Sequence, residues 1–167
     1  MLGLHVLLAV ALAAFADALS PLGVTGAFVL VFLVMCAGAR LLGVQSYVRR
    51  FRQGLSFVLW FVAEIFRASL DVARIVLASH VQTEPAVVAV RLSRREDGFA
   101  TLVGVLLTLT PGTLALEYEP DEGLLYVHAL DIRAADEVER SVRELERRLI
   151  AWMEGVAPTK VNLEKLT

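Results

Sequence analysis

Residues 49–78 read RRFRQGLSFVLWFVAEIFRASLDVARIVLA, and whether that stretch crosses a membrane or lies along it decides the fold. On a wheel of about 100° per residue, Arg49, Gln53, Ser56, Glu64, Arg67, Asp71 and Arg74 fall within one quadrant, with Trp60 among them. Leu55, Phe57, Val58, Leu59, Phe61, Val62, Ile65, Phe66, Leu70, Val72, Ile75, Val76 and Leu77 make up the rest. A narrow polar stripe on an otherwise apolar helix suits a membrane interface or a packed bundle. Glu64–Arg67, Arg67–Asp71 and Asp71–Arg74 are three or four residues apart, the spacing of an ion-pair ladder. An unpaired charge at the bilayer centre costs about 2.5 kcal/mol or more. The helix, spanning 49–79 in this division, is therefore predicted to lie flat. The functional reading of Glu64 and Asp71 is a proton relay or a contact with a partner helix, and a solvated or self-paired stripe outweighs the relay.

The segment before it is greasier still. The chain is 57% hydrophobic, with a mean hydropathy of +0.65. Residues 1–48 carry only Asp17 and Arg40 as charged side chains. Leu2 to Leu19 is apolar except for His5 and Asp17. Ser20-Pro21-Leu22-Gly23 is a turn signal, and Val24 to Ala39 is apolar again. Each run, about 18 residues, matches a hydrocarbon core of roughly 30 Å. The expectation is a two-helix transmembrane hairpin over 1–48. A cleaved leader is the rival, since Ala14-Phe15-Ala16 and Ala16-Asp17-Ala18 resemble cleavage sites, but no Lys or Arg precedes the first run. Arg40, Arg49, Arg50 and Arg52 follow the second run, and basic residues stay on the cytoplasmic side. That places both ends of the hairpin, and everything after a flat helix, in the cytoplasm.

Residues 80–167 hold 15 acidic and 10 basic residues, enough chain for one modest folded domain. Pro85 opens a strand over 86–92. Ser93-Arg94-Arg95-Glu96 has the form of a capping box before a helix from about Arg94 to Leu107, although Gly98 and Gly104 leave two strands as an alternative. Thr113 to Glu119 alternates, so that Leu114, Leu116 and Tyr118 are expected on one face. Pro120-Asp121-Glu122-Gly123 turns the chain into a returning strand, Leu124 to Leu130. Asp131 is placed to cap a helix from Ala134 to Met153, with Val138, Val142, Leu145, Leu149 and Trp152 inward and Glu146 exposed. The tail after Gly155 reads as irregular. The fold class is thus a membrane α+β protein: hairpin, amphipathic helix, then a small β-α-β-β-α cytoplasmic domain.

The chemistry-bearing residues are sparse. The histidines are His5 in the hairpin, His80 after the amphipathic helix and His128 on a strand, whose parity sets it on the opposite face from Asp131. No zinc-type spacing, phosphate loop or nucleophile elbow occurs, and Cys36 is the single cysteine. No catalytic residue, cofactor or metal site is expected, and an acidic tail argues against nucleic acid. The turn Thr110-Pro111-Gly112-Thr113 offers amides that an anion could use, but reads first as a helix-to-strand connector.

Taken together, the hairpin, the segment Glu64-Ile65-Phe66-Arg67-Ala68-Ser69-Leu70-Asp71-Val72-Ala73, the motif Leu107-Thr108-Leu109-Thr110-Pro111-Gly112-Thr113 and the strand Tyr126-Val127-His128-Ala129-Leu130-Asp131 resemble the E subunit of the multisubunit Mrp/Mnh-type sodium/proton antiporters. The resemblance covers essentially the whole chain. Ser69 departs from it, where the family often has Asn. It implies a non-catalytic accessory or assembly subunit of a bacterial inner-membrane cation/proton antiporter, supporting exchange and pH and sodium homeostasis, whose larger subunits move the ions. The implied partners are the other subunits and the bilayer. The contact or structural candidates are Glu64, Arg67, Asp71, Arg74, Thr110, Pro111, Gly112, Thr113, His128 and Asp131. The rivals are direct proton or ion transfer through Glu64 or Asp71, and a stand-alone membrane-tethered binding module.

Overall fold

The computed structural model describes residues 1–78, 84–131 and 135–163. Among them run α1 (Leu2–Phe15), α2 (Pro21–Ala37), α3 (Gln45–Leu77), β1 (Ala86–Arg91), α4 (Asp97–Thr108), β2 (Thr113–Glu119), β3 (Leu124–Ala129) and α5 (Ala135–Glu154). A short 3-10 turn, Pro158–Lys160, occupies part of the tail expected to be irregular. The β-α-β-β-α order is as predicted, and the Gly-containing segment before Thr110 is a helix, not two strands. His80 lies outside the described residues, as do residues 132–134, where capping by Asp131 was expected.

The two apolar helices are shorter than their apolar runs. With 14 and 17 residues they reach about 21 and 26 Å at 1.5 Å per residue. No helix among the described residues is long and apolar enough to cross a membrane. The reason lies at Asp17, which takes a left-handed φ of 53°. Ala18 N–H donates to Ala13 O and Asp17 N–H to Ala14 O, the paired bonds that end a helix in a left-handed residue. Ser20-Pro21-Leu22-Gly23, expected as a turn, instead starts α2. The Ser20 hydroxyl accepts from Gly23 N–H at 3.1 Å and Pro21 sits in the first helical turn, where its missing N–H costs nothing. The helices meet through Ala9, Ala13 and Ala27, small residues that let backbones approach.

α3 is the spine. Its 33 residues reach about 50 Å. Near its start Tyr47 and Phe51 pack on the hairpin around His5, and Phe51 lies 4.5 Å from Phe32, ring to ring. Further along, Phe57 enters the core of the α+β domain and stacks on Trp152 of α5.

The sheet is antiparallel in the order β1-β3-β2. On its covered face Val90, Leu125 and Tyr118 form one row, and Val88, Val127 and Ala115 the next. α4 and α5 pack on that face, with Phe99, Val103, Val142 and Leu149 filling the core. The opposite face carries His128 between Val87 and Leu114. The expected alternation in β2 fails, because Leu116 is an extra residue between the partners of Val127 and Tyr126. Such a bulge reverses parity downstream. Tyr118 therefore joins the core, while Leu114 and Leu116 stay 44% and 53% exposed.

The capping box is not formed either. α4 begins at Asp97 with Glu96 as its cap and no side-chain cap bond. Ser93 is engaged elsewhere, by Glu146.

Candidate functional site

A cleft of about 490 Å³ opens between α3, the α4–β2 turn, the end of β3 and the first half of α5. Its α3 wall is one edge of the polar stripe together with the apolar residues beside it. Trp60, Glu64, Arg67 and Asp71 line it, with Phe61, Ala68, Val72 and Ile75 deeper. Thr110, Pro111, Gly112, Thr113 and Asp131 form the opposite side, and Glu137 and Ser141 of α5 close one end. The fold thus gathers eight of the ten candidate residues. Arg74 reaches the site only through its partner Asp71, and His128 stands on the uncovered sheet face, away from it.

The expected ladder of ion pairs breaks in the middle. Glu64 accepts from Arg67 at 2.7 Å and Asp71 from Arg74 at 2.5 Å, and Arg67 and Asp71 do not pair. Each arginine takes the acid one turn before it, which leaves two separate exposed pairs. Such pairs contribute little to stability, about 0.3–0.5 kcal/mol each.

The threonine turn is tied inward. Thr113 Oγ1 donates to the carbonyls of Leu107 (2.8 Å) and Thr110 (3.0 Å), and Thr110 Oγ1 to that of Leu106. The Leu106 carbonyl is one that the end of α4 leaves open, and the Leu107 carbonyl also accepts from Thr110 N–H. Gly112 adopts φ 91° and its carbonyl accepts from Leu130 N–H. A Cβ there would point at Val72 of α3, 3.4 Å away. The turn is thus a connector that fits beneath α3, and its hydroxyls are spent on its own backbone.

Two polar knots carry weight that sequence reading did not assign. Glu146, expected exposed, is fully buried. Its Oε1 accepts from Ser93 N–H at 2.8 Å and Ser93 Oγ at 2.7 Å, pinning α5 to the β1–α4 loop, and its Oε2 has no partner. Burial pushes the Glu146 carboxyl above its ordinary range, against the opposing pull of the Ser93 bonds and Arg143. A signal was present: with Val142 one turn before and Leu149 and Ile150 one turn after, Glu146 lies inside the apolar arc of α5. The second knot is His5, also fully buried. Its Nε2 is 3.0 Å from Phe28 O, a pure acceptor, so Nε2 carries the proton. Nδ1 then accepts from Tyr47 Oη at 2.7 Å, and one imidazole joins α1, α2 and α3.

Among the described residues no group of three or more His, Cys, Asp or Glu is placed to hold a metal ion. The cleft offers an apolar floor and an acidic rim.

The chain thus combines a helical hairpin, a long amphipathic helix and a two-layer α+β domain. The family model for Na+/H+ ion antiporter subunits, MnhE, matches residues 5–151, and the chain belongs to that family. Among its relatives, the E subunit of the Na+/H+ antiporter of Alkalihalophilus pseudofirmus is 31% identical over 127 residues, covering 76% of this chain and 77% of that protein. The E subunit of the Na+/H+ antiporter of Bacillus subtilis is 30% identical over 100 residues, 60% and 63% of the two chains. A chain in the Mrp complex from Dietzia sp. DQ12-45-1b is 30% identical, with a TM-score of 0.44, over 57% of this chain and 91% of that one.

Proposed function

We propose that this chain is a non-catalytic accessory subunit of a multisubunit sodium/proton antiporter in the bacterial plasma membrane. The hairpin sits in the bilayer, α3 lies flat on the cytoplasmic surface, and the α+β domain contacts neighbouring subunits through the cleft beneath α3. The observation that carries this reading is the two-sidedness of α3. One side, from Gly54 to Ile75, is packed on or faces the folded domain. The other presents Leu55, Leu59, Val62, Phe66 and Leu70, all 45% or more exposed. If this part of α3 crossed the bilayer, the charged helix α5, which runs alongside it, would have to enter the membrane too. Each charge would cost about 2.5 kcal/mol or more. Lying flat, the helix buries its greasy side in lipid and keeps α5 in water.

The hairpin helices fall roughly 4–9 Å short of a hydrocarbon core of roughly 30 Å, a mismatch met by local thinning at fractions of a kcal/mol per Å. Their outward side chains, Leu4, Leu7, Val29 and Leu33 among them, are large and exposed, as lipid contact requires.

The test is purification of the assembled antiporter with residues 80–167 deleted. Loss of neighbouring subunits, or of exchange activity, is the expected result; an intact and fully active complex would refute the reading. Glu64→Gln and Asp71→Asn separate it from direct ion transfer. Both acids are already matched by their own arginines, so exchange is expected to stay within about twofold of the parent, since exposed pairs of this kind contribute well under 1 kcal/mol.

A further inference from the structure

Basic residues are unevenly supplied with partners. Arg67, Arg74, Arg94, Arg143, Arg147 and Arg148 each reach a carboxylate. Before residue 64 the sequence has four arginines and a single acid, Asp17, which sits in the turn at the other end of the hairpin. Arg50 has a local role: its Cγ lies where a Cβ on Gly155 would be 2.9 Å away, at the carbonyl end of α5, where a cation is favourable. Arg40, Arg49 and Arg52 have none. All three are exposed and make no ion pair or side-chain hydrogen bond with any described residue.

Their surroundings say what they face. Arg49 and Arg52 are one turn apart on α3, so their like charges stand on neighbouring positions with no acid between them, an arrangement that is unfavourable until an anion joins it. Arg52 lies one turn before Leu55 and two before Leu59, in line with the outward apolar face. Arg40 is followed by Leu41 and Leu42, 94% and 59% exposed. Guanidinium and large alkyl groups therefore alternate over a few residues at the junction of α2 and α3. An acidic protein surface would satisfy only the first. A bilayer interface supplies both in that order, phosphate above and acyl chain below, and a planar guanidinium grips phosphate with two parallel hydrogen bonds.

We infer that Arg40, Arg49 and Arg52 form a docking surface for the headgroup phosphates of anionic phospholipids, holding the start of α3 against the membrane. This rests on the reading of the hairpin and α3 as lying against the bilayer, and adds to it a preference for lipid charge.

The experiment uses the full chain in neutral detergent. Phosphatidylglycerol or phosphatidylcholine of identical acyl chains is titrated in, and bound lipid is counted by native mass spectrometry. Phosphatidylglycerol is expected to bind at least about tenfold more tightly, and increasingly weakly as salt is raised. Arg49→Gln with Arg52→Gln should lose about fivefold per arginine for phosphatidylglycerol and much less for phosphatidylcholine, whose choline offsets its phosphate charge. Arg49→Lys with Arg52→Lys should keep most of the preference and, with unchanged circular dichroism, shows that the loss is one of charge. Glycerol 3-phosphate at the same concentration should not compete, because it brings no acyl chain. Equal binding of both lipids, or an unchanged preference in the glutamine variant, overturns the inference. So does a glutamine variant that sheds its neighbouring subunits while the parent shows no lipid preference, which would mark an acidic protein partner. Failure of the parent to enter vesicles of either lipid would instead remove the membrane reading beneath it.

Discussion

At Glu146 a single carboxylate ties an otherwise apolar helix face to the β1–α4 loop. Both donors go to one oxygen, and the other oxygen is buried without a partner. A neutral carboxyl tolerates that position better than a carboxylate, which is why burial raises its pKa. An acid whose folded pKa is raised stabilises the fold fully below its unfolded value and loses that contribution as pH climbs through the folded one. Stability should therefore fall on alkalinisation above the ordinary value of 4.5. Glu146→Gln keeps the shape and the acceptor but cannot ionise. Its stability should stay within about 1 kcal/mol of the parent's in acid, and its melting temperature should exceed the parent's at alkaline pH. Thermal melts of both proteins from pH 5 to 9 check this. Parallel pH slopes would mean that Glu146 does not titrate in that range.

Among the elements, α3 joins the hairpin to the folded domain and meets α5 along an aromatic seam. Trp152 stacks on Phe57 and lies against Gly54, while Arg148 sits 4.6 Å over the Trp60 ring. A Cβ at residue 54 would come within 2.6 Å of Trp152 Nε1 and 2.9 Å of Cε2. Gly54→Ala would raise helix propensity by about 1 kcal/mol. The indole would have to leave its stack, at a cost of about 1–3 kcal/mol. The expected net effect is a loss of thermal stability with a shift in tryptophan emission. A stabilised protein with unchanged emission would show the ring to be loosely held. The β2 bulge matters in the same way: one extra residue, Leu116, turns Tyr118 inward, and its hydroxyl donates to Arg95 O at 3.0 Å.

Taken whole, the molecule is a hairpin and a folded domain joined along one helix, and the side of the membrane on which the domain lies follows from the path of that helix. Glu146 cannot report it, being buried, whereas Glu122 is exposed in the β2–β3 turn. With Cys36 replaced by alanine, Glu122→Cys should be labelled by a membrane-impermeant maleimide in inverted vesicles and spared in intact cells. The opposite pattern would put the domain outside, with either α3 crossing or the hairpin inverted, and would refute the cytoplasmic placement.

Periodicity by itself determined the α3 stripe and the β-α-β-β-α order, and the resemblance carried by the turn and strand motifs pointed to the family. These properties depend on neighbours in sequence: hydropathy over about 18 residues, spacing of three to four, alternation of two. Tertiary structure alone decided which side of each element faces inward. It drew Ser93 from a cap to Glu146, set the bulge at Leu116 against β3, and brought the stripe against the threonine turn. Those outcomes depend on atoms far apart in the chain, where a buried acid must find donors and a bulge must find its register. Local pattern cannot rank such alternatives, because the energies that separate them arise only once the distant partners meet.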